Sequence, residues 1–339
     1  MMRVLREFPW SPVFLFPLLV FAIPAHSQPA TPALPEALEM CLAVAADYSP
    51  VYPIRVYPSN TRELVAVYRV TPGAYQKLTG QFIAVDVPGA EGWKPKPVTT
   101  RLTKQTDRGS FTLRGGKLAP GKYRLAVDAD GKPWKSLDFT VAAADPEVKV
   151  TGPGEFMGFS KGRAWIYDAT VEGPDVAKGG PPRFARGPDG KWRGSVTMTV
   201  TDVRGPEVRV EARMGDQVQA AIFQVSQRGL LLLSRGSKTL DPPEVHIPWP
   251  LKTPHSWSYA AKDRSESRNY KIWGPVPIKG PASETPGYVV MSRQTLPDQT
   301  VVTAEQHFVP GIGHIREVSI TAVRDRLVQR NEMVLREVR

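Results

Sequence analysis

Short runs of alternating apolar and polar residues follow one another along most of the chain, and glycine, proline or aspartate separates them. Alternation with a period of two places successive side chains on opposite faces of a β-strand. Such runs recur at regular spacing over residues 51–142, and they continue over residues 155–339. The pattern predicts an all-β protein with two sheet-forming parts, joined by a linker over residues 143–154.

One hairpin in the second part has the clearest signature. Its arms are residues 305–308 and 314–318, and the corner between them contains Pro310, Gly311 and Gly313. Glycine accepts backbone angles that a Cβ atom disfavours, and proline fixes one angle of the corner. These three residues are therefore predicted to form a structural turn.

A second hairpin is predicted over residues 118–141, with Asp130-Gly131-Lys132 at its tip. Its first arm reads Pro120-Gly121-Lys122-Tyr123-Arg124-Leu125. This hairpin resembles the last hairpin of bacterial Ig-like and fibronectin-like sandwich domains. The resemblance covers that part of the chain alone. It implies an Ig-like β-sandwich over residues 51–142 that serves as a spacer or contacts a protein partner.

The second part carries another resemblance. Trp165-x-Tyr167, Gly229-Leu230, Trp257-x-Tyr259 and the Phe308-Val309-Pro310-Gly311-Ile312-Gly313 corner follow one another in this order. The order resembles that of exported bacterial TapB-like proteins of unassigned function. The resemblance implies a larger curved antiparallel sheet over residues 155–339, half-barrel-like and similar to periplasmic lipoprotein carriers. The chain departs from that pattern at His314, where an apolar residue is more usual.

The N-terminal residues predict export. Arg3 and Arg6 precede an apolar run, and small residues follow it, which is typical of a signal peptide over residues 1–27. A proline-rich tether and a short helix or strand are expected over residues 28–50. We therefore expect a periplasmic or secreted protein without a transmembrane segment in the mature chain, and no nucleic-acid partner. The formal charge of +11 favours an anionic envelope polymer or lipid head groups. The basic residues alternate with acidic ones, however, so a solvated surface is the better account of them.

Aromatic residues are concentrated in the second part, and they leave two interpretations open. They line a concave site for an apolar ligand, or they fill the core and leave no cavity. The candidate ligand-lining residues are Trp165, Tyr167, Trp257, Tyr259, Trp273 and Phe308.

Other constellations predict no chemistry. Gly158-Phe159-Ser160-Lys161-Gly162 matches the nucleophile-elbow motif, but a strand rather than a helix is predicted after it. The single cysteine, Cys41, is expected to pack as a small apolar residue. His307 and His314 flank the glycine corner and could face one another, which makes them weak metal candidates. Asp263 and Glu266 lie beside turn residues, and we expect both to be solvated.

We therefore expect an exported, non-enzymatic envelope protein with no cofactor and no catalytic residues. It would bind an apolar or anionic envelope component, such as a lipid or an anionic polymer. Two alternatives remain open at this stage: a purely structural protein-interaction module, and an envelope hydrolase with a dispersed active site.

Overall fold

A computed structural model describes residues 35–146, 148–176, 180–181 and 183–339. The predicted signal peptide and the first part of the tether lie outside these residues. The chain divides into two compact units, which meet in sequence at residues 146 and 147. Both units are built from β-strands, so the all-β prediction is confirmed.

The first unit contains nine strands in two sheets. The four-stranded sheet has the order β2-β1-β4-β7, and the five-stranded sheet has the order β3-β9-β8-β5-β6. Strand β1, which the sequence left as a helix or a strand, pairs with β4. The strands are β1 (Ala37–Val44), β2 (Pro50–Pro53), β3 (Val56–Tyr57), β4 (Glu63–Arg69), β5 (Lys77–Asp86), β6 (Val98–Arg101), β7 (Arg108–Arg114), β8 (Gly121–Ala129) and β9 (Lys132–Val141).

The two sheets of the first unit face each other across an apolar core. Cys41 is buried and packs with Val65 and Val67 of the four-stranded sheet. Tyr57, on the five-stranded sheet, donates its hydroxyl to the Cys41 carbonyl at 2.8 Å, and its ring contacts Phe139. The core thus accounts for the cysteine as a packed side chain. The Ig-like resemblance of this unit stays a prediction.

The described part of the second unit contains thirteen strands, one short α-helix, α1 (Pro153–Met157), and one turn of 3-10 helix (Pro174–Val176). All thirteen strands belong to one sheet. Its neighbouring strands run antiparallel wherever their register is described. The strands are β10 (Ala164–Glu172), β11 (Ala185–Arg186), β12 (Trp192–Arg204), β13 (Glu207–Met214), β14 (Gln217–Ser226), β15 (Gly229–Arg235), β16 (Lys238–Pro248), β17 (His255–Ala260), β18 (Ser267–Lys279), β19 (Glu284–Thr295), β20 (Thr300–Val309), β21 (Gly313–Val323) and β22 (Arg326–Val338).

This sheet curls until its two edges meet. The order of the strands is β16-β15-β14-β13-β12-β10-β22-β21-β20-β19-β18-β17, and β11 pairs with β12 beside this path. The edge strands β16 and β17 come together through side chains: the Trp257 Nε1 donates to the Val245 carbonyl at 2.8 Å. Just after β17, the Lys262 amide donates to the carbonyl of Asp241 in β16 at 2.8 Å. We call the line along which β16 and β17 meet the seam.

Helix α1 packs against the hairpin of β20 and β21. The helix begins with a proline in its first turn, and it ends at Gly158, whose φ of +62° permits the left-handed cap. Phe156 and Met157 are buried, and the Phe156 ring contacts Phe308 at 6.0 Å between centroids. No helix in the described residues is long and apolar enough to cross a membrane.

Candidate functional site

The corner between β20 and β21 is held by residues from distant parts of the chain. Gly311 and Gly313 have φ values of +77° and +92°. The Gly311 amide donates to the Phe156 carbonyl of α1 at 3.1 Å. The indole nitrogen of Trp165 donates to the Ile312 carbonyl at 2.7 Å. These contacts hold the corner in one position because each of them satisfies a backbone group.

Tyr167 and Phe308 meet at His314 inside the sheet. The Tyr167 hydroxyl donates to the His314 carbonyl at 2.8 Å, and both aromatic rings contact the His314 imidazole. Tyr167 and Phe308 are fully buried. Together with Trp165, these candidate residues pack on one another and on the hairpin, as the core-filling interpretation expects.

Two buried histidines flank Phe308. The rings of His246 and His314 lie 6.1 and 5.4 Å from the Phe308 ring, measured between centroids. Burial, together with nearby positive charge from Arg235, lowers the pKa of His246 to about 3. Burial also lowers the pKa of His314 to about 3. Both imidazoles are therefore neutral at physiological pH.

His307 and His314 do not face one another across the hairpin. His314 is the register partner of Phe308, whereas His307 is the partner of Arg316. A β-bulge lies between His307 and Phe308, and neighbouring residues of a strand point to opposite faces. The juxtaposition considered from the sequence is thus wrong. In the described residues, no three histidine, cysteine or acidic side chains come together in an arrangement that could hold a metal ion.

Acid is expected to destabilise the second unit through its neutral histidines. Their pKa is about 3 in the folded chain and about 6.5 when unfolded. Between these values the unfolded chain binds more protons, so stability is lost as the pH falls from 6.5 toward 3. Each histidine should contribute roughly a tenfold change in the unfolding constant per pH unit. Burial raises the pKa of Glu317 above its usual value of 4.5. Above pH 4.5 the folded chain therefore holds this proton more tightly than the unfolded chain, and this group lowers stability as the pH rises.

Urea unfolding at pH 7, 6 and 5 would isolate one histidine from these other groups. The stability of a His246→Phe variant should fall less steeply with acidity than that of the unaltered protein. A His255→Phe variant is the matched control, because His255 is exposed. Parallel curves for all three proteins would contradict the assignment of His246 as a buried neutral group.

Five charged side chains meet at the seam, and Arg268 lies among them with 1% of its surface exposed. Arg268 donates to Glu244 at 2.9 Å and to Glu266 at 3.0 Å. Arg235 also pairs with Glu244, and Lys238 lies 3.5 Å from Glu266. Three cations therefore face two carboxylates, which leaves an excess of one positive charge. We call these five residues the seam cluster.

Two neutral side chains also form hydrogen bonds with the seam cluster. The Tyr270 hydroxyl donates to Glu244, and the Arg268 Nε donates to the Gln294 side chain at 3.2 Å. Burial raises the pKa of Glu244, while the positive charges of Arg235 and Arg268 act against that rise. The expectation that Glu266 is solvated was wrong: it is 5% exposed, because the strand beginning at Ser267 turns its carboxylate toward Arg268.

A surface recess of about 250 Å³ lies above the seam cluster. Tyr259 closes its inner side and is 5% exposed. The Tyr259 hydroxyl has no hydrogen-bond partner among the described residues. Burial, with the negative charges of Glu266 and Glu244, raises the pKa of Tyr259 to about 12, so the hydroxyl keeps its proton. The recess, which we call the seam recess, is lined by Lys238, Thr239, Leu240, Asp241, Tyr259, Ala261, Lys262 and Asp263.

The remaining candidate residues lie on strands β17 and β18, on both faces of the sheet. Trp257 stacks on Tyr270, with ring centroids 5.1 Å apart and planes 6° apart. It shares a face with Tyr259, two positions along the same strand. Trp273 lies on the opposite face of β18 from Tyr270, where Lys271 approaches its ring to 4.9 Å. Tyr259 is the candidate residue that lines the seam recess.

Sequence reasoning did not identify the seam cluster. Arg235 and Glu244 lie on the neighbouring strands β15 and β16, and the closure of the sheet brings Arg268 of β18 to them. One signal was present: Arg268 has the same alternation phase as Tyr270 and Ile272, so it points to the face that they bury. A charged residue in a buried phase indicates a buried partner.

The nucleophile-elbow motif lies between a helix and a strand, which is the reverse of the order that such an elbow requires. Ser160 is exposed in the turn after helix α1, and strand β10 follows it. A nucleophile elbow needs a strand before the serine and a helix after it. The geometry at Ser160 therefore offers no such site.

No protein-family model matches this chain, and no curated protein matches it. Two solved structures are similar to part of it. One, a "putative exported protein with YmcC-like fold" from Bacteroides fragilis, is 12% identical with a TM-score of 0.33, and the match covers 54% of this chain and 98% of that one. The other, a "putative lipoprotein" from Parabacteroides distasonis, is 14% identical with a TM-score of 0.29 and the same coverage. At these identities and scores neither structure assigns the chain to a family.

Proposed function

We propose that the chain is an exported, non-enzymatic protein of the cell envelope that binds an anionic envelope component in the seam recess. The observation that carries this proposal is the Tyr259 hydroxyl. It is a buried donor with no partner among the described residues, and the Tyr259 side chain that carries it lines an open recess. A buried polar group without a hydrogen bond costs stability, so a ligand acceptor at this position has a clear energetic benefit.

The charges around the seam recess favour an anion. Lys238 offers an ammonium group beside Tyr259, and it is the cation that gives the seam cluster its excess of one positive charge. The acids of the rim already have partners. Asp263 accepts the Ser265 amide at 2.9 Å, and Asp241 lies 3.5 Å from Lys262. The groups left to meet a ligand are therefore donors, which suit a carboxylate or a phosphate.

The same geometry supports a role without catalysis. Acid–base chemistry needs a titratable group within reach of a substrate. The carboxylates of Glu244 and Glu266 are buried and paired with arginines. Export rests on the sequence of the N-terminal segment, and a protein partner for the first unit stays a prediction.

Replacement of Tyr259 by phenylalanine is expected to separate binding from stability. The variant loses a donor that has no partner among the described residues, so its free energy of unfolding should stay the same or rise by about 1 kcal/mol. Binding of hexanoate or hexyl phosphate, measured by isothermal titration calorimetry with hexyl glucoside as the neutral control, should weaken about tenfold.

Tyr270→Phe is the matched variant, because it removes an equally buried hydroxyl that does have a partner, Glu244. It should lower stability by roughly 1–3 kcal/mol. Binding of neither anion by the unaltered protein, or equal binding by it and the Tyr259→Phe variant, would overturn the proposal. The structural-module alternative would then be the better account.

A further inference from the structure

The first unit contains a groove of about 360 Å³ that is separate from the seam recess. The groove lies between the start of β4, the turn after β7 and the loop after β5. Its polar lining comes from three basic residues, Arg62, Arg114 and Lys117. The indole of Trp93 contributes an aromatic surface to the lining. We call this feature the Trp93 groove.

The basic residues of the Trp93 groove are exposed, and two of them lack an ion pair. Arg114 pairs with Glu63 at 2.7 Å. Neither Arg62 nor Lys117 forms a salt bridge with another described residue, and both side chains are exposed. The groove therefore has two positive charges that no described acid neutralises.

The aromatic side of the groove is fixed in place. Trp93 makes an edge-to-face contact with Tyr123, with ring centroids 5.8 Å apart. The loop that carries it is tied to β5, because the Ala84 amide donates to the Trp93 carbonyl at 3.0 Å. The Gln81 side chain donates to the Pro95 carbonyl at 2.6 Å. A preformed aromatic surface binds a ligand with little loss of conformational entropy.

The floor of the groove leaves room for a ligand. Gly115 and Gly116 follow β7, and a Cβ atom added to either glycine would meet no atom within 4 Å. Arginine side chains match the planar fork of a carboxylate, and lysine adds a point charge. An indole offers a flat apolar surface that suits the C–H face of a sugar ring.

We propose that the Trp93 groove binds a saccharide that carries carboxylate groups. The sugar ring lies against Trp93, and its carboxylate meets Arg62 and Lys117. This site is independent of the seam recess, because its lining residues all belong to the first unit. Trp93 also explains why the ligand is a sugar rather than a bare anion: a small inorganic ion gains nothing from an indole surface.

The test uses the mature full chain and trigalacturonate as the probe, with maltotriose as the uncharged control, in isothermal titration calorimetry at physiological salt. The unaltered protein should bind trigalacturonate and not maltotriose. A Gly116→Asp variant should weaken binding at least tenfold, because it places a carboxylate in the groove. The fold tolerates this change, since Gly116 has ordinary backbone angles and open space around its Cβ position.

Two controls distinguish an effect inside the Trp93 groove from an effect of the net charge of the protein. Gly116→Asn has the same shape without the charge, and it should bind within about twofold of the unaltered protein. Lys132→Glu, at the start of β9, lowers the net charge by more than Gly116→Asp does and should leave binding unchanged. The proposal is overturned if the Asp and Asn variants bind equally, if Lys132→Glu weakens binding as much as Gly116→Asp, or if the unaltered protein does not prefer trigalacturonate to maltotriose. The Tyr259→Phe variant should bind trigalacturonate normally, so this result is distinct from the test of the seam recess.

Discussion

Replacement of Arg268 by methionine is expected to lower the free energy of unfolding by about 3–5 kcal/mol. The variant keeps much of the volume of the side chain but removes its charge. Glu244 and Glu266 then lose the cation to which both of them pair. Each buried carboxylate then keeps one cation, Arg235 for Glu244 and Lys238 for Glu266, so part of its desolvation cost is no longer offset.

An exposed ion pair provides the matched control. Arg336 lies 2.9 Å from Asp168, and their side chains are 52% and 63% exposed. Arg336→Met should cost at most about 1 kcal/mol, because water screens this pair. Chemical unfolding followed by tryptophan fluorescence would measure both variants. Similar losses for the two would show that the seam cluster is solvated rather than buried.

A double-mutant cycle tests whether the cost comes from an unpaired carboxylate. Glu244→Gln removes one negative charge but keeps an acceptor for Tyr270. In that background, Arg268→Met should cost less than it does alone, since one fewer buried carboxylate loses a cation. Additive losses would contradict direct coupling between Arg268 and Glu244.

The second large effect is expected at Gly313. Its φ is +92°, and a Cβ atom there would lie 2.6 Å from the Met157 carbonyl oxygen of α1. Gly313→Ala therefore adds both backbone strain and a clash with a main-chain atom. We expect a loss of roughly 3 kcal/mol or more.

Gly311 separates the two causes. Its φ is +77°, but a Cβ atom there meets nothing within 4 Å. Gly311→Ala should cost only the backbone term, roughly 1–2 kcal/mol. Equal losses for the two alanine variants would show that α1 does not pack rigidly against the corner. The double valine variant should unfold the second unit while the first remains folded, which two separate transitions in differential scanning calorimetry would reveal.

Local sequence signals predicted the elements of this protein well. Alternation of apolar and polar residues identified most of the strands, and the glycine corner at residues 310–313 lies between β20 and β21. These signals succeed because the side-chain period of a strand and the backbone freedom of glycine are properties of a few neighbouring residues. Helix α1 was missed, because five residues are too few for a helical periodicity to be read.

Those local signals did not predict the register in which the strands pair. His307 and His314 both flank the glycine corner, yet the turn makes His314 the partner of Phe308, and a register shift beyond that pair makes His307 the partner of Arg316. A single extra residue in one strand moves every later side chain to the other face. Nothing in the local pattern marks that residue, since its place depends on how the hairpin packs.

The sequence by itself determined an all-β chain, with its turns and most of its strands, because those depend on residues close together in the chain. The tertiary structure alone decided which polar residues are buried and where a ligand can enter. Arg235 and Glu244 are neighbours on β15 and β16, and Arg268 of β18 reaches them because a long sheet curls and its edge strands meet. That closure depends on the accumulated twist and bulges of many strands, so it leaves no mark on any single stretch of sequence.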